Sequence, residues 1–330
     1  MTTDTGTVEK LNRQGVEQHL SGRLNEAVHT YQQALDLDAD NATTHNNIGF
    51  LLAQVGKLEE ALAHLSQAVT LNPTLANAHA NLGQVLAMKG KQDDAIHHLV
   101  RATDLQPGNP QNWYNLGRLR LLADNVAGAM NALQHALRID PNNPHFVREL
   151  AKAHSIARDY GAALAGYRQV RRLTPDDVEA LTGEGVVLFM QQEYETAIKA
   201  LSAAVGRQAD NAVALRHLGL AQASSGKVND AVDTFLTLLQ HHPDENDARL
   251  DLAVLLISMQ RQGEALAHLD YLPESSAPLG RVHYYRAMAL LEKDPQEAEH
   301  LLQQLANSDD AYAEYAREQL ELTQPKEDLP

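Results

Sequence analysis

The sequence predicts an all-α solenoid of about nine stacked helical hairpins, followed by a C-terminal capping helix. Three series of residues share a period of 34: a Gly or Ala series, an Ala series and a Pro series. Because separate series with one period indicate internal repeats, each stretch of 34 residues is one supersecondary unit. The members are Gly15, Gly49, Gly83, Gly117, Ala151, Gly185, Gly219, Ala253 and Ala287; Ala27, Ala61, Ala95, Ala129, Ala163, Ala197, Ala231 and Ala265; and Pro73, Pro107, Pro141, Pro175, Ala209 and Pro243.

Each repeat predicts two amphipathic helices. We number a repeat so that the first series stands at position 8, which puts the second series at position 20 and Pro at position 32. Apolar residues recur between these positions at helical spacing. Glycine at position 15 predicts the end of the first helix, and Pro at position 32 predicts the end of the second. The small residues at positions 8 and 20 allow the two helices to approach closely, since a larger side chain there would overpack the contact. The position-15 glycines are Gly22, Gly56, Gly90 and Gly226.

One repeat carries the full signature of a known family. Its residues are Trp113, Leu116, Gly117, Ala129, Leu133, Ala136 and Pro141. The chain thus resembles the tetratricopeptide repeat family. The resemblance implies a right-handed superhelix in which the first helix of each hairpin lines a concave, protein-binding groove. The eight regular repeats span residues 8–41, 42–75, 76–109, 110–143, 144–177, 178–211, 212–245 and 246–279.

The two ends depart from this regularity. Residues 1–7 and 325–330 are expected to be flexible, and residues 280–308 form a degenerate ninth repeat. Pro273 interrupts the second helix of the eighth repeat, so residues 273–280 predict a bend. The expected Ala of the ninth repeat is Ala298, one residue early, which predicts a shortened loop between its helices. Residues 309–324 predict the capping helix that a terminal repeat needs. Its inward residues are expected to be Tyr312, Tyr315 and Leu320.

Composition excludes several functions. The formal net charge is −16, which argues against nucleic acid and against anionic membranes. The absence of Cys excludes disulfides and thiolate metal sites. We find no secretory signal and no long apolar run, so we expect a cytoplasmic protein without membrane insertion. We expect no cofactor.

Three asparagines recur at position 6, on the face that should line the groove: Asn47, Asn81 and Asn115. A carboxamide both donates and accepts hydrogen bonds, so it can pair with a peptide backbone of any sequence. The series resembles the asparagine ladder of the O-linked N-acetylglucosamine transferase superhelix, which implies a peptide-binding groove. The alternative is that Asn is merely common before Leu-Gly or Ile-Gly in this family.

A basic section follows the asparagines. Residues 110–177 hold nine Arg or Lys and six Asp or Glu, whereas residues 244–330 hold seven and eighteen. Groove positions in the basic section carry Arg118, Arg148 and Lys152, beside Tyr114. They suggest a site for an acidic or carboxylate-bearing peptide. The alternative is that they are solvated surface side chains.

The sequence shows no sign of catalysis or of a metal centre. Several histidines recur at fixed repeat positions, His64, His98 and His268 at position 23 and His45 and His79 at position 4. No phosphate loop, H-E-x-x-H motif or nucleophile elbow occurs. The carboxylate clamp of heat-shock co-chaperones is matched only by Asn47. We therefore predict a non-enzymatic scaffold or adaptor that binds an extended segment of a protein partner. A self-assembling structural protein, and hence a homo-oligomer, is the alternative.

Overall fold

The computed structural model describes residues 5–272 and 279–323. The chain divides into two compact units, Met1–Pro175 and Asp176–Pro330. Within the described residues, both units are built of α-helices without strands, as the sequence predicts for an all-α solenoid.

The first unit contains five helical hairpins. Consecutive helices pack against each other, and the first helix of each hairpin also contacts the first helix of the next. The helices are α1 (Thr5–Leu20), α2 (Leu24–Leu37), α3 (Ala42–Gln54), α4 (Leu58–Leu71), α5 (Ala76–Met88), α6 (Gln92–Leu105), α7 (Pro110–Leu122), α8 (Val126–Ile139), α9 (Pro144–Ile156) and α10 (Tyr160–Leu173).

The second unit contains four hairpins and a final single helix. Its helices are α11 (Val178–Met190), α12 (Tyr194–Arg207), α13 (Ala212–Ser224), α14 (Val228–His241), α15 (Asn246–Ser258), α16 (Gln262–Asp270), α17 (Leu279–Leu290), α18 (Pro295–Ala306) and α19 (Ala313–Thr323).

Glycine at position 8 holds the two helices of a hairpin together. A Cβ on Gly117 would lie 2.6 Å from Cγ of Leu133, and a Cβ on Gly185 would lie 2.5 Å from Cγ of Leu201. The large side chain at position 24 therefore fills the space that glycine leaves open, and a methyl group would overpack it. The pairs are Gly15–Tyr31, Gly49–Leu65, Gly83–Leu99, Gly117–Leu133, Gly185–Leu201 and Gly219–Phe235.

In the fifth repeat, the glycine at the contact between the two helices lies on the second helix instead of the first. Position 8 is Ala151, and Gly166 faces it from the second helix. A Cβ on Gly166 would lie 2.7 Å from the Cβ of Ala151, so only one of the two can carry a methyl group. The apolar cores follow these contacts, with fully buried leucines such as Leu65 and Leu99 in the first unit and Leu238 and Leu250 in the second.

The first helix of every regular repeat ends in the same way. The residue at position 15 has a positive φ whether or not it is glycine. In the sixth repeat, the N–H of Glu193 donates to the carbonyl of Leu188 and the N–H of Gln192 donates to that of Phe189, which is the Schellman pattern. The position-15 residues are Gly22, Gly56, Gly90, Asp124, Arg158, Gln192, Gly226 and Gln260.

Two kinds of side-chain hydrogen bond recur where one repeat joins the next. The residue at position 34 is often Asn or Asp, and its side chain caps the following first helix; Asn41, for example, accepts a hydrogen bond from the N–H of Thr44. In four places, a side chain at position 4 also donates to the carbonyl six residues earlier, at distances from 2.6 to 3.1 Å. These donor and acceptor pairs are His45–Ala39, His79–Pro73, Trp113–Pro107 and Arg249–Pro243.

The structure corrects the predicted ends of the chain. Helix α1 already begins at Thr5 and Val8 is buried, so residues 5–7 belong to the helix and not to a flexible segment. The capping helix begins at Ala313, because residues 309–312 form the turn before it. The predicted interruption at Pro273, most of the bend and the C-terminal tail lie outside the described residues.

Two details of the ninth hairpin also differ from prediction. Helix α17 ends at Leu290, position 11, and four residues separate it from α18, so the early Ala298 shortens the helix and not the loop. Of the three residues predicted to face inward, Tyr312 and Leu320 are partly buried against the core cluster that contains Ala316, whereas Tyr315 is 55% exposed. The fully buried residue of the capping helix is Ala316, because a small side chain allows the close contact.

Candidate functional site

A groove of about 520 Å³ runs across the first helices of the first four repeats. Helices α1, α3, α5 and α7 supply most of its lining residues, including the position-6 residues Asn47, Asn81 and Asn115, and Tyr31 of α2 also contributes. No Asp, Glu, Lys or Arg is among its described lining residues, and most of them are carboxamides. We call it the amide groove. Its carboxamides are Asn46, Asn47, Gln54, Asn77, Asn81, Gln84, Asn109, Gln111, Asn112 and Asn115.

The side-chain amides of the first three repeats form a continuous hydrogen-bonded chain. Nδ2 of Asn81 donates to Oδ1 of Asn46 at 2.9 Å, and Nδ2 of Asn46 donates to Oδ1 of Asn47 at 3.2 Å. Nδ2 of Asn47 in turn donates to Oδ1 of Asn12 at 3.3 Å. Asn12 donates onward to Oγ1 of Thr44 at 2.8 Å. The position-6 amides are therefore oriented by amides at position 5 of the preceding repeat.

Asn115 differs because its repeat lacks this support. The residue that would orient it, at position 5 of the third repeat, is Ala80. Oδ1 of Asn115 instead accepts a hydrogen bond from Nε2 of Gln111 at 2.9 Å, within the same helix. The three predicted asparagines thus line one groove, but two are held across repeats and one within its own helix.

The sequence reasoning missed the residues that orient the predicted ones. Asn12 and Asn46 are buried at position 5, and a spacing of 35 residues relates each of them to its position-6 partner. The residues and their spacing are visible in the sequence, but that a position-5 side chain reaches position 6 of the next repeat is seen only in the packed structure. At the N-terminal end of the groove, His19 contacts Oε1 of Gln54 at 2.6 Å, and its ring lies 5.5 Å from that of Phe50.

The predicted basic residues lie outside the amide groove. The ring of Tyr114 packs 5.0 Å from that of Phe146, and the guanidinium of Arg118 lies 5.6 Å from the centre of the Tyr114 ring. Arg148 contacts Nδ1 of His145 at 3.2 Å, and Lys152 is exposed on the same helix. None of these four predicted residues is among the lining residues of the groove.

A pair of histidines joins the two helices in each of the second and third repeats. Nδ1 of His45 lies 2.9 Å from Nδ1 of His64, and His79 and His98 repeat this contact at 2.9 Å. Since Nε2 of His45 and of His79 faces a carbonyl, which can only accept, that nitrogen carries the proton and Nδ1 accepts. With that tautomer, Nδ1 of His64 and of His98 is the donor in each contact, and the hydrogen bond is lost if the accepting Nδ1 is protonated as well.

The electrostatics of these pairs favour the neutral form. Burial lowers the pKa of His64, His79 and His98, and in His64 and His98 the paired histidine lowers the pKa further. Arg101 acts in the same direction on His79, while Glu60 and Asp94 partly oppose the effect on His64 and His98.

The same face of the second unit is charged and aromatic where the first unit has amides. Arg216 lies 3.1 Å from Asp247 and 3.2 Å from Asp251, and Asp251 also pairs with Arg281 at 3.2 Å. These ion pairs connect the first helices α13, α15 and α17. Tyrosines follow them on α17, so the two units present different chemistry at equivalent positions.

Two further properties bear on function. Among the described residues, no group of three or more His, Asp or Glu side chains could hold a metal ion. No described helix has the length and apolarity needed to span a bilayer.

Sequence comparison finds tetratricopeptide repeats along most of the chain. Residues 99–208 match the TPR domain of cytochrome c-type biogenesis protein H. Residues 17–56 and 51–90 match a TPR repeat profile, and residues 217–279 match a further tetratricopeptide profile. The peroxisomal targeting signal receptor of Candida albicans is 31% identical over 93 residues, which are 28% of this chain and 16% of that receptor.

Solved structures of similar fold agree. The Cut9 and Hcn1 hetero-tetramer structure matches with a TM-score of 0.61 and 20% identity, over 73% of this chain and 48% of that one. Pseudomonas aeruginosa pilF matches with a TM-score of 0.59 and 18% identity, over 66% and 98%. YrrB, described as a TPR protein with an unusual peptide-binding site, matches with a TM-score of 0.50 and 24% identity, over 56% and 95%. The repeat signature, the helical hairpins and these matches together show that the chain is a tetratricopeptide repeat protein.

Proposed function

We propose that this protein is a non-enzymatic scaffold that holds an extended segment of a partner protein in the amide groove. The tetratricopeptide fold is in general a protein-interaction scaffold. The observation that carries the finer proposal is a groove lined by carboxamides and free of charged side chains among its described residues. We also propose a cytoplasmic location and no catalytic activity.

The chemistry of the groove suits a peptide backbone. An extended peptide presents alternating N–H and C=O groups, and a carboxamide can donate to one and accept from the other. Since the groove offers amides and no formal charge, it would recognise the backbone more than a particular charged side chain. Apolar residues at its N-terminal end, Val16, Leu20 and Phe50, would contact ligand side chains.

The test compares peptide affinity with and without the position-6 amides. Twelve-residue peptides would be selected on the wild-type chain from a displayed random library, and their Kd measured by fluorescence anisotropy. We expect the Asn47→Ala, Asn81→Ala, Asn115→Ala triple variant to bind them at least about tenfold more weakly, because each lost hydrogen bond contributes about 0.5–1.5 kcal/mol.

A matched variant controls for the loss of amides in general. Gln32, Gln67 and Gln134 are exposed amides on the second helices α2, α4 and α8, away from the groove. Their replacement by alanine should leave Kd unchanged. Equal affinity of both triple variants, at matched melting temperature, would discard the amide groove as the binding site.

We propose that an acidic segment of a partner extends to the basic section beside the groove. Tyr114, Arg118, Arg148 and Lys152 would supply an aromatic face and three cations to carboxylates. The Arg118→Ala, Arg148→Ala, Lys152→Ala variant should lose affinity for glutamate-containing peptides and keep it for neutral ones. An unchanged affinity for both would remove this extension.

Self-assembly is the second candidate function. The tyrosines around the capping helix support it, because the ring of Tyr315 is 55% exposed. Light scattering over a concentration series separates the two functions. A monomer at every concentration would exclude the structural scaffold and leave the peptide-binding proposal standing.

A further inference from the structure

Four tyrosines surround a pocket of about 360 Å³ at the C-terminal end of the second unit. We call it the tyrosine pocket. Tyr284, Tyr285 and Met288 line it from α17, and Ile257 lines it from α15. Two further tyrosines complete it, Tyr312 from the turn before the capping helix and Tyr315 from that helix.

The pocket lies at repeat positions that face the amide groove in the first unit. Tyr284, Tyr285 and Met288 stand at positions 5, 6 and 9 of the ninth hairpin. In the third repeat, the same positions hold two residues of the amide groove, Asn81 and Gln84, beside an alanine. The second unit thus offers ring faces and a thioether where the first unit offers hydrogen-bonding amides.

The four rings form one cluster. Tyr284 and Tyr312 have centroids 5.6 Å apart, and Tyr312 and Tyr315 have centroids 5.5 Å apart. The rings are tilted by 44° and 40° in these two pairs, so they present faces and edges to the space between them and do not stack flat. A ring face attracts a cation through its quadrupole.

The tyrosines of this unit already receive guanidinium groups from the chain itself. Arg249 lies 3.9 Å above the centre of the Tyr271 ring, and Arg281 lies 5.9 Å from the centre of the Tyr285 ring. The charge of Arg281 is balanced by Asp251 at 3.2 Å. Arg281 thus already lies against Tyr285, one of the four rings of the pocket, and Tyr284, Tyr312 and Tyr315 are the rings left for a cation from another molecule.

The net charge of the C-terminal part of the sequence favours a cationic ligand. Residues 244–330 hold seven Arg or Lys and eighteen Asp or Glu. Burial raises the pKa of Tyr284, with further contributions from Tyr285 and then from Glu318 on the capping helix. Burial also raises the pKa of Tyr312, with further contributions from Tyr285, Tyr315 and Asp310, while the positive charge of Arg281 opposes them. An anionic surround attracts basic segments over about a Debye length, roughly 8–10 Å.

We propose that the tyrosine pocket binds an arginine or lysine side chain of a basic segment in a partner protein. The site is distinct from the amide groove, since it would take a cationic side chain where the groove would take a peptide backbone. Tyr315 is its most accessible ring, and Tyr284, Tyr285 and Tyr312 are half-buried walls.

The test uses a labelled ten-residue peptide of Gly and Ser with two arginines, and the full-length chain. Its Kd would be measured by fluorescence anisotropy at 50 mM and at 500 mM NaCl. The matched probes replace both arginines by lysine, by citrulline or by proline. We expect the arginine and lysine peptides to bind and the citrulline peptide, which has the same shape without the charge, to bind at least about fivefold more weakly. Higher salt should weaken the charged peptides only.

Two variants of Tyr315 distinguish binding by the aromatic ring face from binding by an apolar side chain of similar size. Tyr315→Phe keeps the aromatic face and should leave Kd within about twofold. Tyr315→Leu keeps an apolar side chain without the quadrupole and should weaken the arginine peptide about fivefold. Because Tyr315 is half exposed, neither change should unfold the chain, which melting temperature would verify. The Asn47→Ala, Asn81→Ala, Asn115→Ala variant should bind the arginine peptide with the wild-type Kd. The experiment can therefore contradict the proposal for the tyrosine pocket without contradicting the one for the amide groove, and the reverse.

Several results would overturn the proposal. No binding of the arginine peptide at low salt is one, and equal binding of the citrulline peptide is another. Tighter binding of the proline peptide would show that the pocket takes a polyproline segment instead. A wild-type dimer that Tyr315→Leu dissociates would show that a second copy of the chain occupies the pocket.

Discussion

The histidine pairs show how single residues can make a repeat sensitive to pH. In each pair, one proton lies between two Nδ1 atoms that are 2.9 Å apart. The first histidine of the pair, His45 or His79, also donates to a backbone carbonyl. Protonation of the accepting Nδ1 as well would place two donors face to face. The pairs lie in the second and third repeats, which also carry Asn47 and Asn81 of the amide groove.

We predict that acid destabilises these two repeats. The pKa of His64, His79 and His98 is lower in the folded chain than the ordinary value near 6.5. The unfolded chain thus binds more protons as pH falls through about 6.5, so the stability these residues provide is present above that pH and is lost below it. The melting temperature should fall between about pH 7 and pH 5. The His64→Gln, His98→Gln variant removes one titratable ring from each pair and should make this dependence less steep.

A surface histidine provides the comparison. His241 is exposed at the end of α14, and His241→Gln should leave the pH dependence of melting unchanged. If the double variant follows the wild-type curve, the pairs do not control acid stability.

At the scale of the helix, the end of each first helix is specified by the repeat and not by its own residue. Eight residues at position 15 have a φ between 56° and 83°, and four of them are not glycine. A non-glycine residue in this left-handed region costs roughly 1–2 kcal/mol. The hydrogen bonds of the Schellman motif and the packing of the next helix impose the conformation on Asp124, Arg158, Gln192 and Gln260 alike.

We predict that Gln192→Gly stabilises the chain by about 1 kcal/mol, because glycine adopts the φ of 63° without steric cost. Thermal or urea unfolding would measure the change. The reverse substitution, Gly90→Ala at a φ of 74°, should destabilise the third repeat by a similar amount. An unchanged midpoint for Gln192→Gly would mean that the side chain of Gln192 offsets the strain.

The sequence predicted the elements well because small residues and prolines mark their boundaries directly. Gly49, Gly83 and Gly117 indicated the close contacts, and the glycines at position 15 indicated the helix ends. The ninth hairpin was harder, because Ala298 shows that one residue is missing and does not show from which segment. Tyr315 was predicted inward because aromatic residues are often buried, yet Ala316 takes the buried place.

The site was predicted in part for a similar reason. Asn47, Asn81 and Asn115 stand at one repeat position and were visible as a series. Their support by Asn46 and Asn12 depends on how neighbouring repeats are offset, and that offset is a property of packing.

At the scale of the whole molecule, each repeat contacts its neighbours within its unit, so stability is expected to be a sum of local terms. A substitution within one hairpin should therefore loosen that hairpin and those beside it. Elements many repeats away should keep their protection from hydrogen exchange.

We predict this pattern for Gly117→Ala, whose Cβ would lie 2.6 Å from Cγ of Leu133. It should destabilise by about 1–3 kcal/mol and raise exchange in α5 to α10, with little change in α17 to α19. Gly206→Ala in α12 is the matched control, since no atom lies within 4 Å of the Cβ that the alanine would add. It should stabilise by about 0.5–1 kcal/mol, because alanine favours the helix. Uniform loss of protection along the chain for Gly117→Ala would contradict the local picture.

The hydrogen bonds among Asn81, Asn46, Asn47 and Asn12 have a consequence for association. A free side chain loses roughly 0.5–1.5 kcal/mol of conformational entropy when a ligand immobilises it. These four amides are already fixed by one another when the chain folds, so an incoming peptide would meet a rigid surface. Asn115 is held by Gln111 in its own helix and keeps more rotational freedom. In the fourth repeat, the amide side chain would therefore have to change its conformation when a ligand binds.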